Sequence, residues 1–420
     1  MSIFYKARSV ALSIILIVFF YTTNIWYGEL HGLDAQGKVL MDKPYFGYGV
    51  LAYIFMFSIL TSIGWFVYLA PLNGKNHLSE SENNLSQRRY KIIAIIIGIS
   101  FIIFTLGGAS WDVTWHLWLR TDDTAWLPHI LGIYPWFLVI GVTVVICLGQ
   151  VLAKSRNNAR KEKDLGLIII LGIFFLLTSF SDPVWHVIYG KDITAFSLPH
   201  ALTLLAIILM GMSIAWLCVR KIKNGTTGAW RALAVICLAG SWADFFLTFT
   251  SEFELQIQPS TDVIFQLRPN WYYPAMICLG GLTFVLVTKK LIPKFWSASV
   301  VIGLVVFDRV IWGLIGGTLP INWNEVHVLF IPSYLVSLIA AVVFDTVFYI
   351  ADKKEIPSKF ILAGLGFIVI NWLGALDYEA LGIIKTISLE GVIIGILANM
   401  IIYYLMVNVI LPNHKEVMDS

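Results

Sequence analysis

One pattern of potential metal ligands occurs twice in the chain. The first copy runs Trp111-Asp112-Val113-Thr114-Trp115-His116, then Asp122, then Leu127-Pro128-His129. The second runs Ser181-Asp182-Pro183-Val184-Trp185-His186, then Asp192, then Leu198-Pro199-His200. Each opens with Asp-x3-His, sets Trp before that His, sets an Asp six residues after it and closes with Leu-Pro-His. Asp112 and Asp182 lie 70 residues apart, and four of the chain's 8 histidines fall in these two cassettes. On a helix, Asp and His four residues apart share one face. The following loop then returns a second imidazole at the start of the next helix. One carboxylate and two imidazoles can surround a cation and leave coordination positions open, the mark of a reactive site. The donor set suits copper, and also iron or zinc.

The expected ligands are therefore Asp112, His116 and His129 in the first cassette, and Asp182, His186 and His200 in the second. Asp122 and Asp192 are expected to orient a ligating imidazole from behind. A solitary histidine at a membrane rim is ordinarily a satisfied interfacial residue, and Trp111, Trp115, Trp118, Trp126 and Trp185 read equally well as an aromatic belt. The doubling of the whole pattern favours metal. The second copy departs slightly from the first. Its His–His gap is one residue longer, and Pro183 predicts that its helix begins near that point.

The elements that must carry these residues are membrane helices. The chain is 58% hydrophobic and 13% charged, with apolar runs near the length that spans a bilayer core. Lipid leaves no partner for open strand edges, so the expected fold is all-α and polytopic. About twelve spans are predicted: 9–27, 47–69, 91–109, 131–152, 165–181, 200–219, 229–249, 271–288, 297–317, 329–350, 360–375 and 387–411. With a cytoplasmic N-terminus, 22 of the 29 basic residues fall on inner loops and termini, and six on outer loops. That bias predicts a multi-pass plasma-membrane protein with both cassettes on the extracytoplasmic side. The net charge of +3 thus reports orientation, and no nucleic-acid partner is expected. The first span is read as retained and not as a signal peptide. Cys147, Cys218, Cys237 and Cys278 fall inside predicted helices without paired spacing, which argues against disulfides or a thiolate metal site.

The 70-residue period divides the single transmembrane domain, 1–420, into repeated helical hairpins at about 91–160 and 161–230. Degenerate copies follow at about 231–296 and 297–359. Ser241-Trp242-Ala243-Asp244 is expected to end the seventh span and, with Glu252 and Glu254, to sit in a solvated outer loop. Asp308 and Arg309 lie in mid-span, where ionisable residues are costly and often functional. Asp345 and Glu390 lie nearer helix ends and are expected to reach water.

At the first cassette the chain resembles a known family. Asp112-x3-His116-x12-His129, with Trp115 before the first His and Pro128 before the last, is similar to the copper-binding motif of the C subunit of particulate methane and ammonia monooxygenases. The continuation Ile130-Leu131-Gly132-Ile133-Tyr134-Pro135 is similar too. The resemblance covers about residues 107–136, with a diverged second copy at 178–205. It implies copper at Asp112, His116 and His129, hydroxylation of small apolar molecules or ammonia with O2, and further membrane or periplasmic subunits. The chain departs from the family in carrying about twice the expected spans, in its altered second cassette, and in lacking cupredoxin-like domains.

The expected function is an integral membrane metalloprotein of the copper monooxygenase type, embedded in the lipid bilayer. A multi-span transporter or metal-permeation protein is the alternative from another class, suited by the acidic outer rim and Asp308. A haem or quinone electron-transfer protein is a third, and a Soret band separates it from the others.

Overall fold

The computed structural model describes residues 31–33, 39–40, 80–102, 137, 139–141, 144, 163–189, 198–222, 227–256, 271–316, 331–380 and 387–410. Among them the architecture is helical, apart from one short antiparallel ladder of β1 (His31–Leu33) and β2 (Val39–Leu40). The helices are α1 (Glu80–Ile102), α2 (Lys163–Tyr189), α3 (Leu198–Trp216), α4 (Gly228–Gln256), α5 (Tyr272–Leu291), α6 (Ser297–Gly316), α7 (Ile331–Lys353), α8 (Lys359–Ala380) and α9 (Leu389–Ile410). Each coincides with one predicted span, from 91–109 onward. The spans at 9–27 and 47–69 lie outside the described residues. Within 131–152, residues 137, 139–141 and 144 are helical. Among the described residues, three stretches are long and apolar enough to cross a membrane: Leu202–Arg220, Leu335–Lys353 and Leu389–Asn408.

Local chemistry sets the helix ends. Ser388 caps α9, its Oγ accepting the Gly391 N–H at 3.0 Å. Glu390 stands exposed in the first turn, as expected, where its charge suits the helix dipole. α3 closes in one π-helical turn, Leu217–Lys221, and Ile222 N–H donates to the Leu217 carbonyl at 3.2 Å. α7 ends in a Schellman motif. Ile356 N–H donates to Ala351 O at 2.9 Å, Glu355 N–H donates to Asp352 O at 3.0 Å, and Glu355 takes φ 52°. Glycine usually fills that left-handed position, and an L-residue there costs about 1–2 kcal/mol. Glu355→Gly is therefore expected to stabilise the chain by about 1 kcal/mol, read as a raised unfolding midpoint. An unchanged or lowered midpoint contradicts it.

The helices divide into two compact units, with the boundary inside α4 between Cys237 and Leu238. In the first unit α1, α2, α3 and the start of α4 share a core of Ile97, Phe101, Leu171, Phe175, Ala206 and Met210. The Phe137 ring meets Phe175 edge-on, 5.1 Å between centroids. Helices approach closely where side chains are missing: a Cβ on Gly98 would meet Leu233 at 2.9 Å. The outward face of α2 is an apolar stripe, Ile170, Ile173, Leu177, Phe180 and Val184, with Leu177 and Phe180 each 66% exposed.

In the second unit α7 and α8 form an antiparallel pair, with α5, α6 and α9 packed around them. Asn399 of α9 joins three helices. Its Oδ1 accepts the Trp372 indole N–H at 2.9 Å, and its Nδ2 donates to Ala275 O at 2.8 Å. Tyr403 donates to Phe360 O at 2.8 Å. Gly395 and Gly364 leave room for the Trp372 and Tyr403 rings, which an added Cβ would strike. α9 also turns an apolar stripe outward, including Ile393, Leu397 and Ile401.

Three expectations are corrected. α2 does not begin at Pro183 but runs unbroken through it to Tyr189. Proline removes a single backbone donor, a local loss within a helix of 27 residues. Ser241-Trp242-Ala243-Asp244 does not end a span. It lies inside α4, a helix of 29 residues, and Ser241, Trp242 and Asp244 are wholly buried. Glu252 and Glu254 belong to that same helix, so the outer-loop reading fails for the whole segment. Asp345 does not reach water: it is 1% exposed.

Candidate metal centre

The second cassette is distributed over a helical hairpin of the first unit. Asp182 and His186 sit in the last two turns of α2, four residues apart, and Asp182 is half-buried. His200 is the third residue of α3, so the expectation that it opens a helix holds. α2 and α3 pack along each other, and a side-chain hydrogen bond crosses the seam beside the cassette. Thr203 Oγ1 donates to Thr178 Oγ1 at 3.1 Å. Thr178 in turn bonds the Phe174 and Phe175 carbonyls, each at 3.0 Å. Asp182 lies four residues beyond Thr178 and His200 three residues before Thr203, about one turn from the seam on each helix. Both the carboxylate-bearing end of α2 and the imidazole-bearing start of α3 are thus at one end of one hairpin. Asp192 lies outside the described residues.

The first cassette, with Asp112, His116, Asp122 and His129, lies outside the described residues. Among the described residues no group of three or more His, Cys, Asp or Glu side chains is gathered to hold a metal. Cys218, Cys237 and Cys278 are buried, and none is joined in a disulfide among the described residues.

Asp308 is buried in α6 at 8% exposure. Arg309 follows it on the same helix.

One polar cluster was not expected. Lys289, at the end of α5, is 1% exposed, and its Nζ lies 2.5 Å from Asp345 Oδ1 of α7. The same Nζ donates to the Lys294 carbonyl at 2.5 Å and the Phe295 carbonyl at 2.8 Å. Asp345 Oδ2 accepts the Ser299 N–H at 2.8 Å and the Ser299 hydroxyl at 2.6 Å. The carboxylate therefore caps the first turn of α6 from a different helix, while the ammonium ties down the α5–α6 turn. The buried ammonium is thus met by two carbonyls and the carboxylate that pairs its charge. The cluster is a structural lock with no open position for a ligand.

Compared with protein-family models, curated proteins and solved structures, the chain matches none.

Proposed function

We propose that the chain is an integral membrane metalloprotein that binds copper at two extracytoplasmic Asp/His/His sites. The doubled cassette carries this reading: the recurrence of Asp-x3-His after 70 residues and of Leu-Pro-His after 71 needs one cause, and shared ligation supplies it. The hairpin of α2 and α3 supports it, because the Thr178–Thr203 bond holds together the two helices that bear Asp182, His186 and His200. Asp112, His116 and His129 hold the ion in the first site, and Asp182, His186 and His200 in the second. Asp122 and Asp192 steady the imidazoles. Bound copper supplies redox chemistry, which in the family that the first cassette resembles serves O2-dependent hydroxylation of small apolar molecules.

Membrane embedding is supported by apolar stripes turned outward on α1, α2, α7 and α9, which water would penalise and lipid does not. The full topology has about twelve spans in repeated hairpins, with the N-terminus inside, as the basic-residue bias requires.

Elemental analysis of the purified chain tests the metal reading. Copper near two per chain is expected for the wild type. About one is expected for Asp182→Ala/His186→Ala/His200→Ala, and likewise for the corresponding variant of Asp112, His116 and His129. Metal-free wild type, or content unaltered by both variants, removes it. The burial of Asp308 favours a second reading as a cation transporter. Proteoliposome uptake that needs Asp308 and survives both cassette variants would establish that reading instead.

A further inference from the structure

We infer that the end of the second unit where α5, α6, α7 and α8 meet is a binding surface for anionic phospholipid. The inference rests on the membrane reading above. It also goes beyond it, because it assigns a partner to a surface that the cassettes do not involve. Lys294, Phe295 and Trp296 occupy the α5–α6 turn and are all exposed, the two rings at 51% and 40%. Lys353 and Lys354 close α7 and are exposed as well. Tyr349 joins the two groups: its ring lies 4.9 Å from the Phe295 ring and 4.6 Å from Lys353 Nζ.

The charge on this end is one-sided. Lys289 and Asp345 cancel inside, and Lys359 is held 2.5 Å from Asp352. Among the described residues of this end, the lysines at 294, 353, 354 and 359 stand against the acids Asp352 and Glu355, which leaves +2. Lysines with apolar stems beside Phe, Trp and Tyr suit the boundary between acyl chains and headgroups. The apolar stripe of α7 leads away from that boundary. Leu335, Ile339, Val342 and Ile350 lie on one face of the helix and are 43%, 55%, 47% and 48% exposed. From Leu335 to Ile350 the helix rises about 22 Å, most of a hydrocarbon core about 30 Å thick. A free phosphate or nucleotide would need the lysines alone. A phospholipid uses the lysines, the aromatic rim and the stripe together.

The buried cluster prepares this surface. Lys289 holds the carbonyls of Lys294 and Phe295, the two residues that the turn presents outward. The lysines and rings are thus set before any lipid arrives, so little ordering cost opposes binding.

The test uses the full chain in nanodiscs of phosphatidylcholine with and without phosphatidylglycerol, with retained lipid counted by mass spectrometry after detergent extraction. Wild type is expected to retain phosphatidylglycerol over phosphatidylcholine. Lys294→Gln/Lys353→Gln/Lys354→Gln is expected to lose that preference tenfold or more, from roughly fivefold per lysine at an anionic surface. The matching Lys→Arg triple variant should keep it. Unfolding midpoints in pure phosphatidylcholine confirm that each variant is folded. Wild type without a preference, or a Gln variant that keeps it, overturns the inference. Competition by millimolar inorganic phosphate to the same extent as by phosphatidylglycerol overturns the lipid source. Failure to enter the nanodisc at all is a separate result and overturns the membrane reading itself.

Discussion

Asp345→Ala is expected to destabilise the chain by about 3–5 kcal/mol, the usual cost of leaving one member of a buried ion pair without its partner. Lys289 is 1% exposed, so its ammonium cannot turn to water when the carboxylate is gone. The loss also strips Ser299 of its acceptor, since both its N–H and its hydroxyl point at Asp345 Oδ2. Lys289→Met is expected to cost less, because methionine fills the same apolar surroundings and leaves a carboxylate still bonded to Ser299. The double variant Lys289→Met/Asp345→Leu should recover much of what Asp345→Ala loses, because apolar replacement of a whole buried pair is often close to neutral. Unfolding followed in detergent checks the set. A double variant as unstable as Asp345→Ala would contradict the charge argument and leave packing as the cause.

The helices were largely legible in the sequence, because a helix that buries one face and turns an apolar stripe outward reads as a long apolar run. Each helix from α1 to α9 overlaps a predicted span, while of the span at 131–152 only residues 137, 139–141 and 144 are described. Errors arose wherever a polar residue or a proline interrupted a run. Pro183 resembles a helix start, but α2 absorbs it, since one missing N–H in a long helix is a small local loss. Ser241 and Asp244 resemble a loop because polar residues ordinarily seek water. Here α4 buries them, and burial of that kind is decided by neighbours from other helices. Asp345 illustrates the same limit. Its partner Lys289 lies 56 residues away in sequence, and neither local periodicity nor the inner-loop charge bias links the two. In the second cassette, the helix start at Leu198–Pro199–His200 was legible. The seam between Thr178 and Thr203 was not, because two threonines 25 residues apart carry no signal of their own.

Copper is expected to raise the unfolding temperature of the chain, and the cassettes are expected to account for the whole effect. A ligand that binds only the folded form stabilises it by about 4 kcal/mol at a thousand times its dissociation constant. For a chain of 420 residues that corresponds to roughly 4–5 °C per site. Asp182→Ala/His186→Ala/His200→Ala should lose about half the rise. The variant lacking all six ligands, with Asp112, His116 and His129 also replaced, should lose all of it. The same variants should unfold as wild type does once a chelator is present. An equal copper-induced rise in the six-ligand variant would assign the effect to adventitious sites. Sign and size thus separate lost ligation from lost folding, which a drop in activity alone would not.

X-ray absorption at the copper edge of the loaded, detergent-purified chain tests the central claim most directly. The account predicts nitrogen and oxygen scatterers at about 2.0–2.2 Å, with the outer-shell signature of two imidazoles per copper. That signature should weaken in His186→Ala/His200→Ala and again when His116 and His129 are also replaced. Sulfur as the main scatterer, or an imidazole signature unmoved by those variants, would contradict it.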